Sequence, residues 1–169
     1  MSTIQPLASA VKDHFSNPQA TAFAHFVTVT DGLSGQQAAN VPADRFNSVW
    51  AVVNHVAFWQ DVLRTALQDE LLDLPAWGLT EIGPGWPPFG EITDANWQAA
   101  RQRALVLNQR LSDAINALAE ADLAQPLAGF FKVPAQQAIF SIFAHNSYHT
   151  AEIISIRHMQ GLWVDHPFV

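Results

Sequence analysis

Apolar residues recur along this chain at the three- and four-residue spacing of α-helices, and no convincing run of alternating, β-branched residues interrupts them. The pattern predicts a short helix over residues 4–15. Asn17-Pro18 reads as a break followed by a new helix start. From about Gln19, Ala22, Phe23, Phe26, Val27 and Val29 predict a helix ending near Gly32 to Gly35. A longer helix follows from Phe46-Asn47-Ser48 to about Asp69, capped by Asn47 or Asp44. Its inner face holds Val52, Val56, Trp59, Val62 and Leu63, with His55 in the middle.

Residues 71–93 break the periodicity with four prolines and four glycines, and carry Trp77, Trp86 and Phe89. A loop this long inside a compact fold is usually functional or disordered, and its aromatics argue against disorder. Trp77 and Trp86 read first as anchors that fasten it to the rest of the chain. Thr93 or Asp94 can cap the next helix, from about Ala95 to Ala119, with Trp97, Ala104, Leu105, Leu107, Leu111, Ile115 and Leu118 on its apolar face. After a linker from Glu120 to Val133, Pro134 suits the first turn of a last helix that runs to about Gln160, with Gly161 past its end. Four principal helices predict an all-α fold, a four-helix bundle, with loops long enough for a crossover. The whole chain, residues 1–169, is expected to form one domain.

Within the last helix, the segment Ala144-His145-Asn146-Ser147-Tyr148-His149-Thr150-Ala151-Glu152 interrupts a stripe that should be buried. At about 100° per residue, His149 lies roughly 40° from His145, and Glu152 about 20° to its other side. Ala138, Ile142 and Ile156 share that stripe. Two imidazoles and a carboxylate there are costly unless something binds them. Two histidines from one helix and His55 from another can present three nitrogens to one ion. Satisfied core histidines, hydrogen-bonded to backbone or to each other, are the other reading, and a bis-histidine haem a third.

Composition narrows the chemistry. There are no cysteines, so disulfides, thiolate ligands and cysteine nucleophiles are excluded, and any thiol in a reaction must be a small molecule. A formal net charge of -7 with Lys12 and Lys132 as the only lysines argues against nucleic acid as a partner. Arg101, Arg103 and Arg110 read as a solvated helix face. Nothing approaches the roughly 18 consecutive apolar residues of a membrane span, so no membrane partner is expected. The first residues lack the basic start and apolar run of a signal peptide, so a cytoplasmic location is the default expectation.

The remaining histidines read more weakly. His158 sits where the helix dipole favours a cation, His166 lies in a C-terminal tail, His14 is expected to be exposed, and His25 can face the core. Tyr148 is expected to pack against a neighbouring helix, and Trp59 to pack in the core or wall the site.

The segment from Ala144 to Ile153 resembles the H-x₃-H-x-G-Q-I signature of the DinB-like (YfiT-like) metalloenzyme superfamily. The segment from Asn47 to Trp59 resembles the second-helix stretch that supplies that family's first ligand histidine, and Trp86-Pro87-Pro88 is also familiar there. The likeness spans roughly residues 17–163. It implies an antiparallel four-helix bundle with a crossover connection and a divalent metal, commonly zinc or nickel, on a histidine triad of His55, His145 and His149. It also implies kinship with transferases and isomerases that use low-molecular-weight thiols, bacillithiol or mycothiol. A metal-dependent S-transferase acting on a small-molecule substrate is therefore the leading expectation, with a metal-dependent hydrolase as its variant. A non-catalytic bundle with a structural metal, possible as a homodimer, and a metal-free bundle for an apolar ligand are the rivals. Ala151-Glu152 stands where the family has Gly-Gln. Glu152 can be a fourth ligand, an acceptor orienting an imidazole, a general base, or a carboxylate that touches only water.

Overall fold

The computed structural model describes residues 3–19 and 23–165. Among these residues it contains six α-helices and no strand: α1 (Ile4–Ser16), α2 (Phe26–Val29), α3 (Gly35–Ala39), α4 (Val49–Leu67), α5 (Asp94–Asn116) and α6 (Ala135–Met159). The long ones, α1, α4, α5 and α6, make the four-helix bundle that the periodicity predicts. In the bundle α5 packs along α4 and α1, and α6 packs along α4 and more lightly along α1. Helices α1 and α4 therefore face each other across one diagonal, and α5 and α6 across the other. The links from α1 to α4 and from α5 to α6 are the crossovers, while α4 and α5 are neighbours joined by residues 68–93.

Local chemistry explains each boundary. The side chain of Ser48, not Asn47 or Asp44, caps α4 by accepting from the Ala51 amide at 3.1 Å. Thr93 caps α5 through the Asn96 amide. Pro134 precedes α6, and Gly161 follows it with φ 71°, a left-handed conformation glycine adopts without cost.

The helix expected from Gln19 to Gly32–Gly35 is not continuous. Residues 23–25 are extended or bent, α2 is a single turn, and α3 is a separate helix; Ala22 lies outside the described residues. The reason is a second helix start within the segment. Ser34 accepts from the Gln37 amide, and the Gln37 side chain accepts from the Ser34 amide, a reciprocal cap that opens α3. Gly35 then meets the start of α5 so closely that a Cβ would lie 2.5 Å from the Thr93 carbonyl oxygen. Its amide donates to Asp94 Oδ1 at 2.7 Å.

The core is continuous from α1 to α6, with Trp50, Trp97, Phe58 and Leu111 among its fully buried side chains. Truncating one of the large aromatics there costs about 3–5 kcal/mol in comparable cores. Buried polar groups stitch the helices together. Asn108 Nδ2 donates to Gln60 Oε1 at 2.8 Å, and Ser112 Oγ donates to the Ala8 carbonyl at 3.0 Å. Arg103 and Arg110 are exposed, as a solvated helix face requires, while Arg101 is half-buried. Arg101 pairs with Asp31 at 3.0 Å and donates to Thr30 and Val27, while Arg103 lies 3.4 Å over the Trp77 ring. Trp77 is the anchor expected of it, donating to Asp61 at 3.0 Å. Among the described residues no helix is long and apolar enough to cross a membrane.

Candidate metal centre

Helix α4 carries His55 inward, and α6 carries His145 and His149 one turn apart toward the same point. The stripe of α6 that holds them is buried as the periodicity requires, with Ala138, Ile142 and Ile156 at 2% exposure or less. The three rings lie close, with centroids 5.0 Å apart for His55 and His145, 4.7 Å for His55 and His149, and 4.4 Å for His145 and His149. Each offers one ring nitrogen to a group whose members lie within 4.8 Å of one another, and this group can hold a metal ion. His25 is buried but belongs to another cluster, its ring 6.1 Å from His14.

The hydrogen bonds behind the rings determine which nitrogen faces the centre. His55 Nδ1 lies 2.6 Å from the Gly85 carbonyl oxygen, which can only accept, so Nδ1 carries the proton and Nε2 keeps its lone pair. His149 Nδ1 lies 2.6 Å from Glu152 Oε2, with the same consequence. His55 Nε2 and His145 Nε2 are 3.1 Å apart. Two nitrogens bound at 2.0–2.1 Å to one ion stand about 2.9–3.4 Å apart at angles of roughly 90–109°. The pair therefore fits a shared cation, and equally a shared proton. Buried His145 Nδ1 has no hydrogen-bond partner among the described residues.

Burial pushes His55 down to about 4, with the Gly85 hydrogen bond and Glu152 opposing and His149 reinforcing the shift. Burial also pushes His145 down to about 4, helped by the charges of His149 and His55. Both imidazoles are thus neutral near pH 7, the state a metal ligand needs. Burial alone would raise the Glu152 carboxyl. The hydrogen bonds from His149 and Asn47 outweigh that and hold it below its ordinary value.

Glu152 is not a member of the three-nitrogen group. Its Oε2 is tied to His149, and its Oε1 accepts from Asn47 Nδ2 at 2.9 Å. Asn47, read from sequence only as a helix cap, is thus part of the site's support. The loop between α4 and α5 roofs the centre. Trp86 stacks on the His55 ring at 3.9 Å and 11°, so it does more than fasten the loop. Gly85 holds φ 70°, and a Cβ there would lie 2.5 Å from Trp59 Nε1. Trp59 is half-buried, 6.4 Å from His55 and 6.5 Å from His145, and walls the site.

Two expectations fail nearby. Tyr148 is 70% exposed and packs on no neighbouring helix, its ring resting edge-on against His149. On α6 it lies about 100° from His149 and about 60° from His145, turned toward the exposed side of the helix. His14 is half-buried, because α1 packs against α6 where Ser147 Oγ meets His14 Nε2 at 2.8 Å. Burial and the neighbouring His25 lower its pKa. His158 packs on Trp163 at 4.3 Å, and His166 lies outside the described residues.

An all-α bundle with three convergent imidazoles defines a class of proteins able to hold a divalent ion between two helices. The model of one family, the DinB superfamily, matches residues 20–153, a span that includes His55, His145, His149 and Glu152. The chain belongs to the DinB superfamily. No curated protein and no solved structure matches it.

Proposed function

We propose that this chain is a divalent-metal-dependent enzyme whose ligands are His55, His145 and His149, with zinc or nickel as the ion. The observation that carries the reading is the orientation of the imidazoles. His55 and His149 each give their Nδ1 proton to an oxygen acceptor and keep Nε2 for the centre. A divalent ion held there would act as a Lewis acid and would favour the thiolate of a bound thiol near neutral pH.

The protein's own groups supply the rest. Trp86 and Trp59 cover the His55 side and keep water from the ring. Glu152 accepts from His149 Nδ1 and so holds the ring in the tautomer that leaves Nε2 for the ion. A low-molecular-weight thiol as cosubstrate agrees with the absence of cysteine and with the family resemblance, and makes an S-transferase the preferred reaction class. A hydrolase is the variant. The rival, a closed structural site, needs a fourth protein ligand. Glu152 is the residue closest to that role, and both its oxygens are engaged with His149 and Asn47.

The test is elemental analysis of purified protein beside His149→Ala. Near-stoichiometric metal in the wild type and its loss in the variant is the expected result. A wild type that stays metal-free after incubation with zinc and nickel would sink the proposal. Bacillithiol, mycothiol and glutathione are then paired with a panel of electrophiles. Conjugation that needs the metal supports the transferase, and hydrolysis without thiol supports the variant.

A further inference from the structure

A guanidinium is buried near the C-terminal end of α6 without a carboxylate of its own. Arg157 is only 9% exposed. Its Nε donates to the Leu162 carbonyl at 3.2 Å, and its Nη1 donates to the carbonyls of Val29 and Asp31 at 2.8 and 3.0 Å. These acceptors are neutral, and no ion pair reaches Arg157 among the described residues. Burial lowers the guanidinium below its ordinary value, with the Asp31 charge opposing. A buried charge held this way lacks a counter-ion. Its Nη2 makes no hydrogen bond among the described residues and is not sealed from solvent.

Arg101 of α5 is held in a similar way. Thr30 Oγ1 accepts from its Nε, and the Val27 carbonyl and the Asp31 carboxylate accept from its Nη2, which leaves Nη1 over. Two helices thus grip residues 27–31, each with a terminal nitrogen to spare. Both arginines line one cleft of about 460 Å³, within the roughly 300–1,000 Å³ of small-molecule sites. The chain after α6 forms another wall. Gly161 turns it at φ 71°, and the Leu162 amide donates back to the Arg157 carbonyl at 2.8 Å. That turn brings Trp163 to the cleft, its ring packed on His158 yet 72% exposed. Val27 and Val164 add apolar surface.

We infer that this cleft binds a small aromatic monocarboxylate, its carboxylate between Arg157 Nη2 and Arg101 Nη1 and its ring against Trp163. Charge selects the group. Asp31 already neutralises Arg101, and Asp165 at the rim is exposed, where water and salt screen it. One positive charge, that of Arg157, is left for a ligand. A carboxylate supplies one negative charge and two acceptor oxygens for two N–H donors. A phosphate dianion would bring a second negative charge toward Asp31 and Asp165. The exposed indole face beside the arginines suits an aromatic ring. The site is separate from the metal centre. Arg157 lies eight residues beyond His149, about 12 Å along α6 and about 80° around it, and none of the three clustered histidines lines the cleft.

The test titrates the full chain with sodium benzoate at constant ionic strength, followed by the NMR shifts of the Asp31 and Gly32 amides. Saturable shifts with a Kd of about 1 mM or tighter are expected. Benzamide, which has the same ring and no charge, and inorganic phosphate should each bind about 10-fold more weakly. Arg157 also holds three carbonyls, so variants at exposed positions carry the test without disturbing the fold. Trp163→Ala should weaken benzoate about 5-fold. Asp165→Asn removes a repelling charge and should tighten it about 2-fold. His149→Ala should keep the wild-type affinity, which separates this cleft from benzoate bound to a metal. No saturable shift by about 20 mM benzoate overturns the inference. So does benzamide or phosphate binding as tightly as benzoate, an affinity that Trp163→Ala and Asp165→Asn leave unmoved, or one that His149→Ala abolishes.

Discussion

Glu152 Oε2 stands 2.6 Å from His149 Nδ1, one helical turn along α6, and turns a carboxylate that breaks the family pattern into a support for an imidazole. The bond fixes the tautomer that leaves His149 Nε2 free for the centre. Removing such a partner typically costs about 10–100-fold in metal affinity. Glu152→Ala should therefore weaken zinc binding by that factor in a chelator competition, while stoichiometry at saturation stays unchanged. Glu152→Gln restores the residue usual in the family and keeps an oxygen acceptor, so it should lose less than Glu152→Ala. Equal affinities for all three proteins would show that the carboxylate does not act through His149.

Gly85 occupies a position no other residue can take without displacing the site. Its φ is 70°, and an added Cβ would lie 2.5 Å from Trp59 Nε1 and 2.9 Å from Phe58 Cδ1. Gly85→Ala combines left-handed strain with a clash, and should destabilise the protein by about 1–3 kcal/mol. It should also shift the carbonyl that holds His55 and weaken metal binding. Gly83→Ala is the control, since it too has positive φ but no neighbour nearer than 3.8 Å. Its effect should be confined to thermal stability. A Gly85→Ala protein with unaltered melting temperature and metal affinity would contradict this account of the loop.

The three clustered histidines were legible because a buried helix face has a period, and His55 falls on that of α4 while His145 and His149 fall on that of α6. Their supports were not. The Gly85 carbonyl is a backbone atom in an aperiodic loop, and nothing in the residue type announces it. Asn47 is a good cap residue beside a better one. Ser48 takes the cap, which leaves Asn47 for Glu152 across 105 residues of chain. The long helices were read within a few residues because caps and glycines bound them. The segment before α4 was misread because Phe26 and Val29 suggest a continuing helix, while Ser34 and Gln37 start a new one. His14 was misplaced because exposure depends on which helix packs beside it, and the pattern within α1 does not say.

Acid should destabilise the metal-free protein at a pH where surface histidines would be harmless. His55 and His145 have folded values near 4, below the ordinary 6.5 that they recover on unfolding. Between those values the unfolded chain binds more protons, so stability rises with pH there. The contribution is complete above about 6.5 and is lost as pH falls toward 4. His14, lowered in the same direction, adds to the upper part of that window. The melting temperature of the apo protein should fall steeply from pH 6.5 to 4, and His145→Gln should flatten the slope. Zinc at about 100 times its dissociation constant should add about 2.7 kcal/mol at pH 7. That corresponds to roughly 5–10 °C for a chain of this size. A flat profile between pH 6.5 and 4 would contradict the neutral burial of these rings.

Asn47 and Ser48 are adjacent but serve different ends, and two substitutions should separate them. Ser48 Oγ accepts from the Ala51 amide at 3.1 Å, and the residue is 2% exposed. Ser48→Ala removes the cap and should cost about 1 kcal/mol of stability, with metal affinity nearly unchanged. Asn47 Nδ2 donates to Glu152 Oε1 at 2.9 Å and helps hold that carboxyl below its usual range. Asn47→Ala should leave Glu152 with burial less opposed, so its pKa rises and its hold on His149 weakens. Metal affinity should drop several-fold while melting of the apo protein changes little. The reverse pattern, with Ser48→Ala losing metal and Asn47→Ala losing the helix, would mean that Asn47 caps α4 in solution and that Glu152 stands without its second partner.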